Sequence, residues 1–199
     1  MVDSAAPTQR RSLVREPGRV RVPPLLLGTV VFLASELVFV VALFGAYFTL
    51  RAETTPWPPD GAEVDPLLSG VATVLLVISS GTYIFAARAA RRHELGAFRR
   101  WVVATIALGA MFLGLQLVDY ASLSFTVSSD AYGTLFYAMT GFHGAHVIAG
   151  LLLMLVVFGR SIQGAYAQGE PLGVEGVGYY WHFVDVVWIA LYATLYLLR

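Results

Sequence analysis

The sequence predicts an all-α integral membrane bundle of five transmembrane helices, and three observations carry that prediction. Hydrophobic residues make up 57% of the 199 residues and charged ones only 13%, and mean hydropathy is +0.69, more than a soluble core requires. The apolar residues gather into five runs, each long enough for the ~20 residues that cross a hydrocarbon core. Those runs are continuously apolar, whereas barrel strands alternate over ~10 residues, so a barrel is excluded. In lipid the helix then remains as the element that satisfies its own backbone.

Composition also removes several function classes. The formal net charge is +0, which speaks against a nucleic-acid partner. There is no cysteine, and with it go disulfides, thiolate metal ligands, haem thioether attachment and cysteine nucleophiles. No zinc-protease motif, Gly-rich phosphate loop, nucleophile elbow or Ser-His-Asp set is present.

The elements follow in order. Residues 1–24 are polar and arginine-bearing and read as a cytoplasmic tail; residues 25–199 read as one membrane domain. The first apolar run exceeds the ~7 to 15 residues of a signal-peptide core and ends in no small-residue cleavage pattern, so it reads as a retained span. The expected spans are Leu25 to Leu50, Leu67 to Ala87, Trp101 to Leu123, Tyr132 to Phe158 and Val177 to Leu198. Arg10, Arg11, Arg15, Arg19, Arg21, Arg88, Arg91, Arg92, Arg99, Arg100 and Arg160 fall on one side, and only Arg51 and Arg199 on the other. This bias places the N-terminus in the cytoplasm and the C-terminus outside. Between the first two spans, Trp57, Pro58 and Pro59 read as a rigid interfacial anchor within an acidic connection.

Six ionisable side chains lie within the spans: Glu36, Asp119, His143, His146, His182 and Asp185. Such groups are costly in a bilayer and are functional candidates by default. Glu36 admits three readings: a proton-handling acid, a polar partner for a histidine on another helix, or a contact to lipid or a neighbouring subunit. Gln116, Asp119 and Tyr120 share one face of the third span, which suits hydrogen bonding to a neighbouring helix. In YYWHFVDVVW, His182, Asp185 and Trp188 share a face, and the histidine and aspartate can pair. The tyrosines and Trp181 there read as an aromatic belt. In TGFHGAHVIAG, His143 and His146 share a face that Gly150 continues, while Gly141, Ala145 and Ala149 give a small-residue spacing that admits another backbone. The histidines with a carboxylate have ligand chemistry adequate for zinc, iron or copper, and a b-type haem between facing helices is a further possibility, but hydrogen-bonded packing is the commoner use of such a pair.

SELVFVVALFGAYF from Ser35, the WPP of Trp57 to Pro59, LQLVDY from Leu115, AYGTLFYAMTGFHGAHVIAG from Ala131 and YYWHFVDVVWIALYATLY from Tyr179 together resemble subunit III of the haem-copper oxidases, particularly of cytochrome c oxidase. GFHGxHV and WHFVDVVW are the specific motifs. The resemblance implies a five-helix bacterial form with no catalytic residue, haem or copper of its own, beside subunits I and II that hold the haem and copper. It also implies support for proton uptake and for the working lifetime of subunit I and a place in the bacterial cell membrane, and it leaves open whether the complex joins a larger respiratory assembly. Glu36, Asp119, His143, His146, His182 and Asp185 would form its buried polar network; Trp57, Gln116, Tyr120, Trp181 and Trp188 would be interface or lipid contacts. Longer relatives have seven helices, of which the first two wall a phospholipid cleft, so lipid binding is in question here. Asp119 stands where many relatives carry glutamate. Subunit III of a quinol oxidase is the neighbouring alternative, and a stand-alone carrier or proton channel the one from a different class.

Overall fold

The computed structural model describes residues 23–167 and 171–198. The expected tail, with Arg10, Arg11, Arg15, Arg19 and Arg21, and the terminal Arg199 lie outside them. Among the described residues the chain is all-helical: α1 (Pro24–Glu53), α2 (Pro66–Arg91), α3 (Leu95–Ser122), α4 (Ala131–Ile162) and α5 (Leu172–Tyr192). A π-helical turn, Ala193–Leu197, extends α5. All five helices are long and apolar enough to span a membrane. The arginines of α2, α3 and α4 gather at one end of the bundle, where α1 begins; the acidic α1–α2 connection lies at the other.

The helix starts follow local chemistry. Pro24 and Pro66 open α1 and α2, where a missing N–H costs nothing. The Asp65 carboxylate accepts from the amides of Leu67 and Leu68 at 2.8 and 3.1 Å, and Asp130 accepts from Gly133 at 2.7 Å, each capping otherwise unpaired donors. The short α2–α3 turn uses His93 in the left-handed region at φ 58°, which histidine tolerates better than most residues.

α3 and α5 begin several residues before the expected spans, and tertiary contact explains both extensions. Phe98 is buried in the first turns of α3 with its ring edge-on to Tyr166 at 6.1 Å, and the Arg99 guanidinium donates to the Ser161 carbonyl at 2.6 Å. In the first turn of α5, the Val174 carbonyl accepts from the Tyr83 hydroxyl at 2.8 Å and Glu175 pairs with Arg91 at 3.1 Å.

α5 is the centre of the bundle, packed against α1, α2 and α4. α2 and α3 form a close antiparallel pair, and α3 closes onto α4. α1 touches α4 and α5 and buries only Tyr47, so most of its surface, including Leu27, Val31, Val38 and Val41, faces outward. That is the apolar exterior a bilayer requires.

Candidate functional site

Three polar seams cross the apolar interior. The first joins α1 to α4. His146 Nδ1 lies 2.7 Å from the Phe142 carbonyl; a carbonyl only accepts, so Nδ1 carries hydrogen. Its Nε2 lies 2.9 Å from Glu36 Oε2. One proton therefore bridges the pair, either as imidazolium against carboxylate or as carboxylic acid donating to imidazole. Glu36 sits twelve residues into α1, ~18 Å along it at 1.5 Å per residue, deep in the apolar zone. The Tyr180 hydroxyl donates to the His146 carbonyl at 3.0 Å, which ties α5 into the same contact.

The second seam joins α5 to α2. Trp181 Nε1 donates to Ser79 Oγ at 3.0 Å, Trp188 Nε1 to Thr73 Oγ1 at 2.9 Å, and His182 Nδ1 shares a hydrogen bond of 2.5 Å with Ser80 Oγ. The third lies at the acidic end. There the Tyr196 hydroxyl donates to Asp119 Oδ2 at 2.7 Å, and the Tyr120 hydroxyl to Thr140 Oγ1 at 2.7 Å, which itself donates to Phe136. Hydrogen bonds of this kind hold helices together where no hydrophobic effect drives them.

The six ionisable residues are thus distributed, not clustered. Residues three apart on a helix differ by about 60° around its axis, and in α4 that is enough to give the two histidines different neighbours. His146 meets α1, whereas His143 is buried and stacks on Trp188 at 4.7 Å with Phe112 edge-on at 5.7 Å. His182 and Asp185 do not pair: Ser80 of α2 bonds the His182 imidazole and also lies beside the Asp185 carboxyl. The Glu36–His146 contact has the geometry of the second of the three readings of Glu36, a polar partner for a histidine on another helix.

Trp181 and Trp188, expected at an interface, are each 0% exposed, and of the tyrosines before them only Tyr179 faces outward. The indoles turn inward because their N–H groups find hydroxyls on α2 and because Gly109 and Gly150 leave a slot. A Cβ on Gly150 would stand 2.6 Å from the Trp181 ring, and one on Gly109 3.0 Å from it. In the TGFHGAHVIAG stretch, Gly150 and not Gly141 is therefore the small residue that admits a neighbouring side chain. Gln116 is buried too, and Tyr120 is partly buried against α4. Trp57 is partly buried, with its ring edge-on to Tyr47 and Tyr132 at 5.3 Å each.

Sequence reasoning missed the hydroxyl partners Thr73, Ser79, Ser80, Thr140 and Tyr196. Hydroxyls in a helix can bond their own backbone, so none stands out singly. The recurrence of Ser69, Thr73 and Ser80 on one face of α2 was the available signal.

Among the described residues no three His, Asp or Glu side chains converge as a metal would require. The side chains also fit a haem poorly: His146 and His182 are engaged elsewhere, and the cavity lined by His143 and His146 measures only about 20 Å³.

A larger feature opens at the arginine-rich end. Between α1 and α4, floored by α5, lies a cleft of about 870 Å³ lined by apolar groups such as Leu25, Phe32, Leu153 and Val156. It ends at Phe32 and Tyr180, beside the Glu36–His146 contact, and Arg160 stands on its rim as the one charged lining residue among those described.

The sequence model of the family described as "Cytochrome c oxidase subunit III" matches residues 20–199. A relative named "Probable cytochrome c oxidase subunit 3" from Nocardia farcinica is 39% identical over 199 residues, covering 98% of this chain and 96% of the relative. "Cytochrome c oxidase subunit 3" of Thermostichus vulcanus is 40% identical over 174 residues, 87% of each chain. "Probable cytochrome c oxidase subunit 3" of Mycobacterium tuberculosis is 37% identical over 196 residues, 96% of this chain and 94% of the relative. With five membrane-spanning helices joined by polar seams and a match over nearly its whole length, the chain belongs to the cytochrome c oxidase subunit III family of the haem-copper oxidases.

Proposed function

We propose that this chain is an accessory, non-catalytic subunit of a cytochrome c oxidase in the bacterial cell membrane. It packs beside catalytic subunit I, with subunit II in the same complex, and those partners hold the haem and copper and take electrons from cytochrome c to reduce oxygen to water. The observation that carries the reading is the near-full-length identity to relatives named cytochrome c oxidase subunit 3; those names do not favour the quinol alternative. The distribution of the polar groups supports an accessory role: Glu36, Asp119 and His146 are each engaged by another helix, as expected of architecture and not of a continuous path for a carried substrate across the membrane. In this reading the arginine-rich end and residues 1–24 face the cytoplasm, and residues 25–199 act as one unit.

The test is direct. The oxidase complex carrying Glu36→Gln is expected to assemble, because an amide still donates to or accepts from His146. It should reduce oxygen at the wild-type initial rate but lose activity sooner during sustained turnover. Immediate loss of activity in a fully assembled complex would overturn the accessory role, and a purified complex without haem and copper in its partner subunits would overturn the oxidase assignment.

The cleft between α1 and α4 holds phospholipid in this proposal, without any wall from further helices. Its length along α4, from Ala149 to Arg160, is ~17 Å at 1.5 Å per residue, which suits an acyl chain lying against α1 and α4, with the Arg160 guanidinium placed for the phosphate. Arg160→Ala should lower the phospholipid that copurifies with the delipidated complex; extraction followed by mass spectrometry measures it, and unchanged retention would remove Arg160 from the site.

A further inference from the structure

The α2–α5 seam contains polar groups that its interhelical hydrogen bonds do not fully occupy. At the arginine-rich end a cavity of about 100 Å³ opens between the two helices, with Tyr83, Arg91, Glu175 and His182 among its lining residues. The Arg91 side chain is 53% exposed and pairs with Glu175 at 3.1 Å, so the two charges stand at the mouth and neutralise each other. The Tyr83 hydroxyl is engaged by the Val174 carbonyl. His182 is the titratable group left facing the interior: its Nδ1 is bound to Ser80, whereas its Nε2 has no hydrogen bond among the described residues and is left for the cavity.

Beyond it, one turn along α5, Asp185 is 4% exposed, and among the described residues neither carboxyl oxygen makes a well-formed hydrogen bond. The Ser80 side chain lies beside that carboxyl. A polar group buried this deeply needs a partner, and an ionised carboxylate in the membrane interior is especially costly. The cavity has room for about three waters at ~30 Å³ each and has the polar lining that buried water requires.

We propose that this cavity is a hydrated inlet from the arginine-rich face and that Asp185 is a proton-exchanging carboxyl at its blind end, reached through His182 and Ser80. The relay balances. Hydronium in the cavity gives a proton to His182 Nε2 and becomes water; the Nδ1 proton passes to Ser80 Oγ as the Ser80 hydroxyl proton passes to Asp185. The carboxylate becomes a neutral carboxylic acid, and the reverse sequence returns the proton to water. Histidine and serine end uncharged, and no reactant other than water and its proton takes part. The site is independent of the Glu36–His146 contact and of the accessory role proposed above.

Infrared spectroscopy of the assembled complex, with carbon-13 aspartate to mark the carboxyl bands, tests the inlet. The expected result is a protonated-aspartate band that shifts within minutes of transfer to D₂O and is absent in Asp185→Asn. In Ser80→Ala the shift should be roughly tenfold slower, a barrier increase of about 1.4 kcal/mol. Should Asp185→Asn fail to assemble, Ser80→Ala on the labelled complex carries the test, since alanine leaves the Trp181–Ser79 and Trp188–Thr73 bonds of the helix seam in place. A band that fails to shift in D₂O over hours, no titrating aspartate band at all, or exchange at the wild-type rate in Ser80→Ala would each overturn the proposal.

Discussion

Gly150→Val is expected to be among the most damaging single substitutions in the membrane domain. Its first added carbon would stand 2.6 Å from the Trp181 ring, and valine adds two more that cannot rotate away inside a helix. Trp181 has no space into which to retreat: it is fully buried, held by its bond to Ser79, and flanked on the other side by Gly109. Overpacking of this kind costs about 1–3 kcal/mol, enough to separate α4 from α5 at the centre of the bundle. Gly150→Ala should still destabilise, although alanine improves helix propensity by about 1 kcal/mol. Gly144→Ala, where nothing lies within 4 Å of an added Cβ, is the internal control and should be neutral or stabilising. The measurement is thermal dissociation of this subunit from the purified complex. Equal behaviour of the Gly150→Ala and Gly144→Ala proteins would show that the Trp181 slot does not matter.

His146→Leu should be the second large effect, acting through α1. Among the described residues that helix buries only Tyr47 and packs chiefly against α4 and α5, so the Glu36–His146 bond at 2.9 Å is its main polar attachment within the membrane. Removing the imidazole leaves Glu36 facing hydrocarbon without its partner. Interhelical bonds in membranes contribute about 0.6–2 kcal/mol each, and the stranded carboxyl adds to that loss. The expected outcome is weaker retention of α1 against the bundle, read as faster proteolysis or hydrogen exchange in residues 30–45. Glu36→Leu combined with His146→Leu should recover part of the loss, because no polar group then remains unpaired. A double variant as unstable as His146→Leu alone would assign the damage to lost packing of the ring and not to the stranded acid.

Glu36→Gln and His146→Leu thus separate two roles of one contact. Glutamine keeps the bond and removes the shared proton; leucine removes both. Both variants should shorten the working lifetime of the oxidase, and only His146→Leu, which loosens α1 beside the cleft, should also lose phospholipid.

The sequence by itself determined the all-helical membrane class, the number of spans and the family. Each rests on patterns local in the chain: uninterrupted apolar runs, arginines at their ends, and the motifs around His143 and His182. It also marked the residues whose burial in lipid needs an explanation. Tertiary structure alone decided what each of them does. Two histidines three residues apart look equivalent on a helical wheel, yet about 60° of rotation sends His146 to Glu36 and His143 into a stack with Trp188. Trp181 reads as an interfacial anchor until Gly109 and Gly150, on two other helices, are seen to form its slot. His182 and Asp185 look like a pair until Ser80 arrives from α2 and takes the imidazole. In lipid all helix faces are apolar, so the chain carries little pattern to say which face meets which neighbour. That choice is made by single hydrogen bonds and single missing side chains, and these become visible only when the helices are side by side.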